Sequence, residues 1–372
     1  MPLRLDFGHT SYQAAFERRD VYGVRHDPNR RAKRLLRVGV VGCGGVAQAK
    51  WLPAIRYLQT RSEPVEITGL VDPDSMTRSK VAALYGAATY AAVGELLERG
   101  AVDLILVLCP DEMHGEIARQ ALAVGVASLV EKPLCRRTDE ARALCTLAEE
   151  RGVLLASVAN KRFSPPYALA RALVADGALR SAPTVFSCKF TLGYPYVDLL
   201  EAGTVHVVDL ALWFMGPVER VFAIGAFRDG KVESAIISLN FASGAVGAIV
   251  TSAAALSFKP WERVEIIGRN AVLVVEDQFE LTLYDEETGP AKSWKPTIPN
   301  TLLFDESFGG YAGLLENVLD AIRGLAPLGT PGREGLAAVE IVAAVHESLA
   351  RGEAIELGER TQGDRGDRMG RQ

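Results

Sequence analysis

An apolar run, Val38–Val41, feeds directly into Gly42, Cys43, Gly44, Gly45, Val46 and Ala47, and no other stretch limits the possible folds so tightly. A glycine at the first position lets the chain leave a strand in a tight turn. A small residue at the sixth lets the following helix lie close against that strand. The backbone N–H groups of the turn then sit at a helix start, where they and the positive end of the helix dipole suit an anion such as a pyrophosphate. The bare glycine spacing recurs by chance in many chains, so its weight comes from the strand before it and the helix after it.

Beyond the turn, Leu52, Ile55 and Leu58 recur at helical spacing. Arg61–Pro64 reads as a polar loop, and Val65–Val71 as a second strand ending at Asp72. A carboxylate at that strand tip accepts hydrogen bonds from a ribose diol and repels a 2′-phosphate, which favours NAD over NADP. The roughly 30 residues from Gly42 to Asp72 exceed the roughly 20 usual for this fingerprint, and the Arg61–Pro64 loop absorbs the excess. Asp72 has a competing use as the cap of the next helix, for which Ser75 is the better candidate.

The alternation continues. Ser75–Tyr85 is expected as a helix stopped by Gly86, and Ala87–Tyr90 as a short strand. Glu95–Arg99 reads as a helical turn, followed by a strand over Val102–Leu108 that ends at Cys109 and Pro110. A helix over His114–Ala123 leads to a strand over Ala127–Val130, which ends at Glu131, Lys132 and Pro133. A helix over Thr138–Arg151 and a strand over Val153–Val158 complete the series. Short apolar strands alternating with helices imply a parallel sheet covered on both faces. Ligands on such sheets sit at the carboxyl ends of the strands, where Asp72, Pro110 and Lys132 all fall.

From Thr184 the pattern changes to consecutive strands joined by short turns, which indicates an antiparallel sheet. Its one internal helix spans His206–Met215, and two late helices, Tyr311–Arg323 and Arg333–Arg351, follow. Ser234–Phe258 carries no charge and is long enough to span a bilayer. The Ser243–Gly244 pair in its middle instead predicts two buried antiparallel strands around a turn. The expected organisation is therefore α/β: a basic extension (1–36), a doubly wound Rossmann domain (37–158), an α+β domain with an open, mostly antiparallel sheet (159–357) and a polar tail (358–372).

A net charge of -5 gives no reason to expect nucleic acid or a membrane surface as a partner. The five cysteines are scattered without metal or disulfide spacing. With no apolar leader at the N-terminus, a reducing cytoplasm is the default expectation.

The order of VGVVGCGGVA, LVDPD, LCPDEMHGEIARQAL, VEKPL, HVVDLALWFMG, SLNFASGAVGAIVTS, VEIIGRNAVLVVED and AAVHESLARG resembles the Gfo/Idh/MocA oxidoreductases over residues 37–355. The resemblance implies nicotinamide-dependent redox chemistry on a secondary alcohol or ketone of a sugar, cyclitol or related polyol. It also implies a homodimer or homotetramer built through the open sheet. Carried onto this chain, it places Gly42, Gly44, Gly45, Val46, Ala47, Asp72, Pro110, His114, Glu131 and Lys132 at the cofactor, with His114 shaping the cofactor loop and Glu131 orienting Lys132. Lys132 and His206 become the catalytic pair. The lysine faces a developing alkoxide and the imidazole, which titrates near neutrality, exchanges the hydroxyl proton. Asn160, Arg162, Tyr194, Glu201 and Asp209 are the candidates for substrate contacts, and no metal is implied.

Two departures bear on the proton path, one of them Asp111, where asparagine is common after the proline. Many members of the family carry an aspartate four residues before the histidine, where this chain has Ala202. Either a one-residue insertion restores the neighbouring Glu201 to the site, or the acid is absent. Two other readings stay open: an enzyme that retains NAD and uses transient oxidation for elimination or glycoside cleavage, and a non-catalytic dinucleotide-binding protein.

Overall fold

The computed structural model describes residues 33–193, 198–255, 261–287, 289–295 and 309–358. Most of the basic extension, the polar tail after Gly358, and Tyr194 lie outside the described residues.

Six parallel strands form the first sheet: β1 (Leu36–Val41), β2 (Val65–Val71), β3 (Ala88–Tyr90), β4 (Leu104–Val107), β5 (Ala127–Val130) and β6 (Leu155–Ser157). Their order is β3-β2-β1-β4-β5-β6, so the winding reverses between β1 and β4. Such a switch point is where an open α/β sheet receives its ligand. Every residue of β4 and β5 is buried, as expected of strands covered on both faces. Helices α1 (Leu52–Thr60), α2 (Ser75–Tyr85), α3 (Val93–Arg99), α4 (His114–Ala123) and α5 (Thr138–Arg151) provide that cover. Asp74 is the residue that caps α2, accepting from the N–H groups of Met76 and Thr77, so neither Asp72 nor Ser75 has that task.

After α6 (Pro165–Ala175) the second sheet gathers nine strands. These are β7 (Val185–Thr191), β8 (Val218–Arg228), β9 (Lys231–Phe241), β10 (Val246–Ser252), β11 (Trp261–Ile267), β12 (Ala271–Glu276), β13 (Glu280–Asp285), β14 (Gly289–Trp294) and β15 (Ile355–Glu356). All neighbours are antiparallel except β7 and β10. The uncharged stretch around Ser243 is the β9–β10 hairpin, but its strands are buried on one face only. Ala235, Ile237, Leu239 and Phe241 point inward while Ile236, Ser238 and Asn240 are exposed.

Helices α6, α7 (Val205–Met215) and α9 (Gly332–Arg351) cover the inner face of this sheet, and their apolar residues share its core. Helix α8 (Tyr311–Ile322) returns to pack on α1 in the core of the first sheet. Helix α9 touches α5 on one side and α7 on the other, so it ties the two layers together beside the carboxyl ends of the parallel strands. Among the described residues no helix is long and apolar enough to cross a membrane.

Candidate functional site

β1 delivers the chain to Gly42, whose φ is +94°. A Cβ there would lie 2.6 Å from the Leu108 carbonyl oxygen and 2.7 Å from the Cys109 nitrogen, so backbone on the β4 side closes the turn to any side chain. Gly44 and Gly45 are exposed, with open space where a side chain would stand. Asp72 braces the turn: one carboxylate oxygen accepts the Cys43 N–H at 2.8 Å and the other the Asp74 N–H at 2.9 Å. A carboxylate oxygen can accept more than once, so the strand tip keeps capacity for a diol.

The chain then enters a π-turn, Ala47–Trp51, with no side-chain cap at its start. Pro53 explains the widening, because it has no N–H to offer the carbonyl four residues back and its ring crowds that position. Uncapped N–H groups above an open glycine turn form a cradle for a pyrophosphate. Together with the Asp72 carboxylate they fit NAD.

The π-turn also points Trp51 at the end of β5. Its indole N–H donates to Glu131 Oε1 at 2.8 Å, while Glu131 Oε2 accepts the backbone N–H of Lys132 at 3.0 Å. His114, 1% exposed, stands between the ends of β4 and β5, with Nδ1 2.8 Å from the Pro133 carbonyl and Nε2 3.0 Å from that of Cys109. The imidazole thus ties the end of β4, on one side of the switch point, to the end of β5 beside it. Pro110 is exposed beside it.

Across the cleft, a second π-turn, Leu199–Thr204, leads into α7. Asp198 caps it by accepting the N–H groups of Leu200 and Glu201, both at 2.9 Å. Thr204 Oγ1 donates to the Leu199 carbonyl at 2.8 Å and lies 2.9 Å from Thr251 Oγ1. Gly203 packs so closely that a Cβ would come within 2.5 Å of Leu192. From this turn the Ala202 carbonyl accepts the Lys132 ammonium at 2.7 Å. His206 follows one turn later, and a small cavity is lined by Lys132, Pro133, His206 and Asp209 among others. Burial, and then the Lys132 and Lys161 cations, push the imidazole well below its ordinary titration range. His206 is therefore neutral at physiological pH and can accept a proton.

Several expected substrate contacts have other partners. Arg162, 4% exposed, makes a two-pronged pair with Asp209 at 2.9 and 2.5 Å, and also binds Glu334 and the Gly329 carbonyl. Burial raises the Asp209 carboxyl, and the guanidinium partly offsets that. The pair anchors both residues in the buried junction, while Asp209 also lines the cavity that holds Lys132 and His206. Asp209 is also not free to support His206. The π-turn before His206 does not bring Glu201 to Lys132. Glu201 lies 3.4 Å from Arg136 and 3.9 Å from His346, on a second, larger cavity whose lining includes neither Lys132 nor His206. Asn160 is 5% exposed and donates to the Gly309 carbonyl at 2.6 Å, leaving its Oδ1 without a partner among the described residues.

Sequence reasoning passed over three groups here. Lys161 is buried against Glu262 at 2.5 Å and Gln278 at 3.0 Å, and its charge reaches His206. Trp51 holds Glu131, and the Ala202 main chain holds Lys132. Only Trp51 left a trace in the sequence, four residues past the small Ala47 and thus on the helix face that packs against the sheet.

The family described as oxidoreductases with an NAD-binding Rossmann fold, Gfo/Idh/MocA, matches residues 36–159, and its C-terminal alpha/beta domain matches residues 199–357. The chain belongs to this family. A UDP-N-acetylglucosamine 3-dehydrogenase from Acidithiobacillus ferrooxidans is 27% identical over 328 residues, covering 85% of this chain and 99% of the relative. The inositol 2-dehydrogenase of Rhizobium meliloti is 22% identical over 271 residues, 69% of this chain and 81% of the relative. Among solved structures, GenD2 from gentamicin A biosynthesis in complex with NAD superposes with a TM-score of 0.74 at 26% identity, covering 87% of this chain and 97% of that one. The fold, the NAD-binding half and the oxidoreductase class are thus those of this family.

Proposed function

We propose that this protein transfers a hydride between NAD and a secondary alcohol or ketone of a sugar, cyclitol or related polyol. The observation that carries the reading is the meeting of Lys132, from the end of β5, with His206, from the start of α7, at one cavity beside the glycine cradle. When bound, NAD supplies the hydride acceptor or donor. Gly42, Gly44, Gly45, Val46 and Ala47 hold its pyrophosphate through main-chain N–H groups, and Asp72 takes the ribose diol. Pro110 and His114 shape the loop beside the nicotinamide, and Glu131 fixes the backbone of Lys132.

In the oxidative direction the neutral His206 accepts the hydroxyl proton, while the Lys132 ammonium stabilises the alkoxide as charge develops on the carbinol oxygen. In the reductive direction the carbonyl carbon receives the hydride and the protonated His206 returns its proton to the oxygen, with Lys132 an ammonium throughout. The outer face of the second sheet exposes Phe222, Ile224, Ile236 and Val250, the kind of apolar surface a partner covers, and supports a homodimer or homotetramer through that sheet.

The test is NADH formation by the full-length protein over a panel of sugars, sugar derivatives and cyclitols. NADH in step with ketone is expected for at least one compound. Product without net NADH would replace this reading by the NAD-retaining one. Tight NAD binding with no turnover on any compound would replace it by a non-catalytic role.

A further inference from the structure

The cleft is well supplied with acids in sequence, yet none of the described ones pairs with the Lys132 ammonium. Glu131 is committed to the Trp51 indole and to the main chain of Lys132. Asp209 is bound to Arg162. Glu262 is bound to Lys161 and to the Tyr167 hydroxyl, the latter at 2.5 Å. Glu201 faces Arg136 and His346 on the other cavity. What Lys132 has instead is a neutral main-chain carbonyl, that of Ala202 at 2.7 Å.

The second π-turn is the cause. A π-turn holds one residue more than the α-turn with the same ends, and such insertions cluster at functional sites. Here the turn sets the Glu201 carboxylate on the other cavity and presents the Ala202 carbonyl to Lys132. The arrangement is firmly fixed by the Asp198 cap, the buried Thr204–Thr251 contact and the close packing of Gly203. A partly buried cation with only a neutral partner is incompletely compensated, and a ligand anion supplies what is missing.

We propose that the substrate brings its own negative charge: a polyhydroxy sugar acid, oxidised at a carbinol close enough to its carboxylate for the Lys132 ammonium to reach both. An ammonium has three donors. One holds the Ala202 carbonyl, and two remain for the carboxylate and the carbinol oxygen. The carbinol C–H bond breaks with its electron pair moving as hydride to NAD, the O–H proton passes to His206, and a C=O bond forms. The substrate is oxidised and NAD reduced, with the carboxylate unchanged. Lys161 does not compete for this carboxylate, since Glu262 already compensates it.

This substrate class rests on the hydride-transfer reading above, and the two can fail separately. The experiment compares neutral sugars with their aldonates and uronates, using inositol as a further neutral control, on the wild-type protein with NAD. We expect kcat/KM at least about tenfold higher for an acid than for its neutral partner, expressed mainly in KM and weakened by added salt. Calorimetric binding of the acids to the NADH-saturated protein gives a second readout that needs no turnover, and Lys132→Gln should abolish the preference there. Equal turnover of neutral and acid partners, or an acid preference surviving in Lys132→Gln, overturns the inference while leaving hydride transfer intact. Failure of every compound to yield NADH overturns the hydride-transfer reading, and the calorimetric comparison still decides whether the cleft selects acids.

Discussion

The two π-turns hold neighbouring residues of a single loop, but by different means. Ala47–Trp51 offers a side chain, the Trp51 indole, to Glu131. Leu199–Thr204 offers only its main chain, the Ala202 carbonyl, to Lys132. The first arrangement ties an acid into the scaffold, so that Glu131 organises the loop. The second leaves a cation without a counter-charge among the described residues, available to whatever enters. The cofactor side is thus committed to holding its own shape, and the opposite side is where chemistry is available.

The contrast can be broken most severely at the reacting side. His206→Ala should lower kcat by about 10²–10⁴ while leaving NAD affinity nearly unchanged, as steady-state kinetics and NAD titration would show. The same residue sets a pH dependence. Its folded titration point is depressed by burial, Lys132 and Lys161, and the base form is the deprotonated one. The oxidative rate should therefore stay flat through neutrality and fall only below the ordinary histidine range of about 6.5. Removing one cation with Lys161→Gln should move that acidic limb upward. An unmoved limb would exclude Lys161 from the environment of His206.

A large effect of another kind is expected in the buried junction. Arg162→Met leaves Asp209 inside without its guanidinium and should cost about 3–5 kcal/mol of stability, read from denaturant unfolding, with the KM for NAD little changed. A raised substrate KM at unchanged stability would return Arg162 to the substrate.

On the scaffold side the effects shrink. Trp51→Phe keeps the ring but removes the donor to Glu131, for an expected loss of about 1–3 kcal/mol. Smaller still, Asp72→Asn keeps the shape of the strand tip and removes its charge. It should weaken NAD by about tenfold, or about 1.4 kcal/mol, and narrow the preference over NADP. Unaltered selectivity would mean that Asp72 serves only to brace Cys43 and Asp74.

Much of the first sheet was legible because its signals are local. The helices Ser75–Tyr85, His114–Ala123 and Thr138–Arg151 have the bounds that periodicity and stop residues indicate. Lys132 could be singled out because it stands at the end of a readable strand, whereas His206, at the start of a readable helix, came from the family resemblance. The misread parts depend on partners far along the chain. Arg162 finds Asp209 across 47 positions and Lys161 finds Glu262 across 101, and no periodicity encodes such pairs. Strand β14 lies past a stretch of mixed composition and β15 is two residues long, so neither shows an alternating pattern. The second π-turn was visible only as an awkward count between Glu201 and His206. Which way it turned the carboxylate depended on Arg136 and His346, whose positions only the folded chain defines.

The most direct test of this division of labour compares two properties of Lys132→Met side by side: NAD affinity by calorimetry, and hydride transfer in a single turnover with a substrate the wild type uses. We expect NAD affinity within about threefold of wild type, less than the 1.4 kcal/mol that marks a tenfold change. We expect hydride transfer to slow by about 10³ or more. Transfer at the wild-type rate, or a loss of NAD binding equal to the loss of transfer, would contradict the assignment of Lys132 to the reacting side of the cleft.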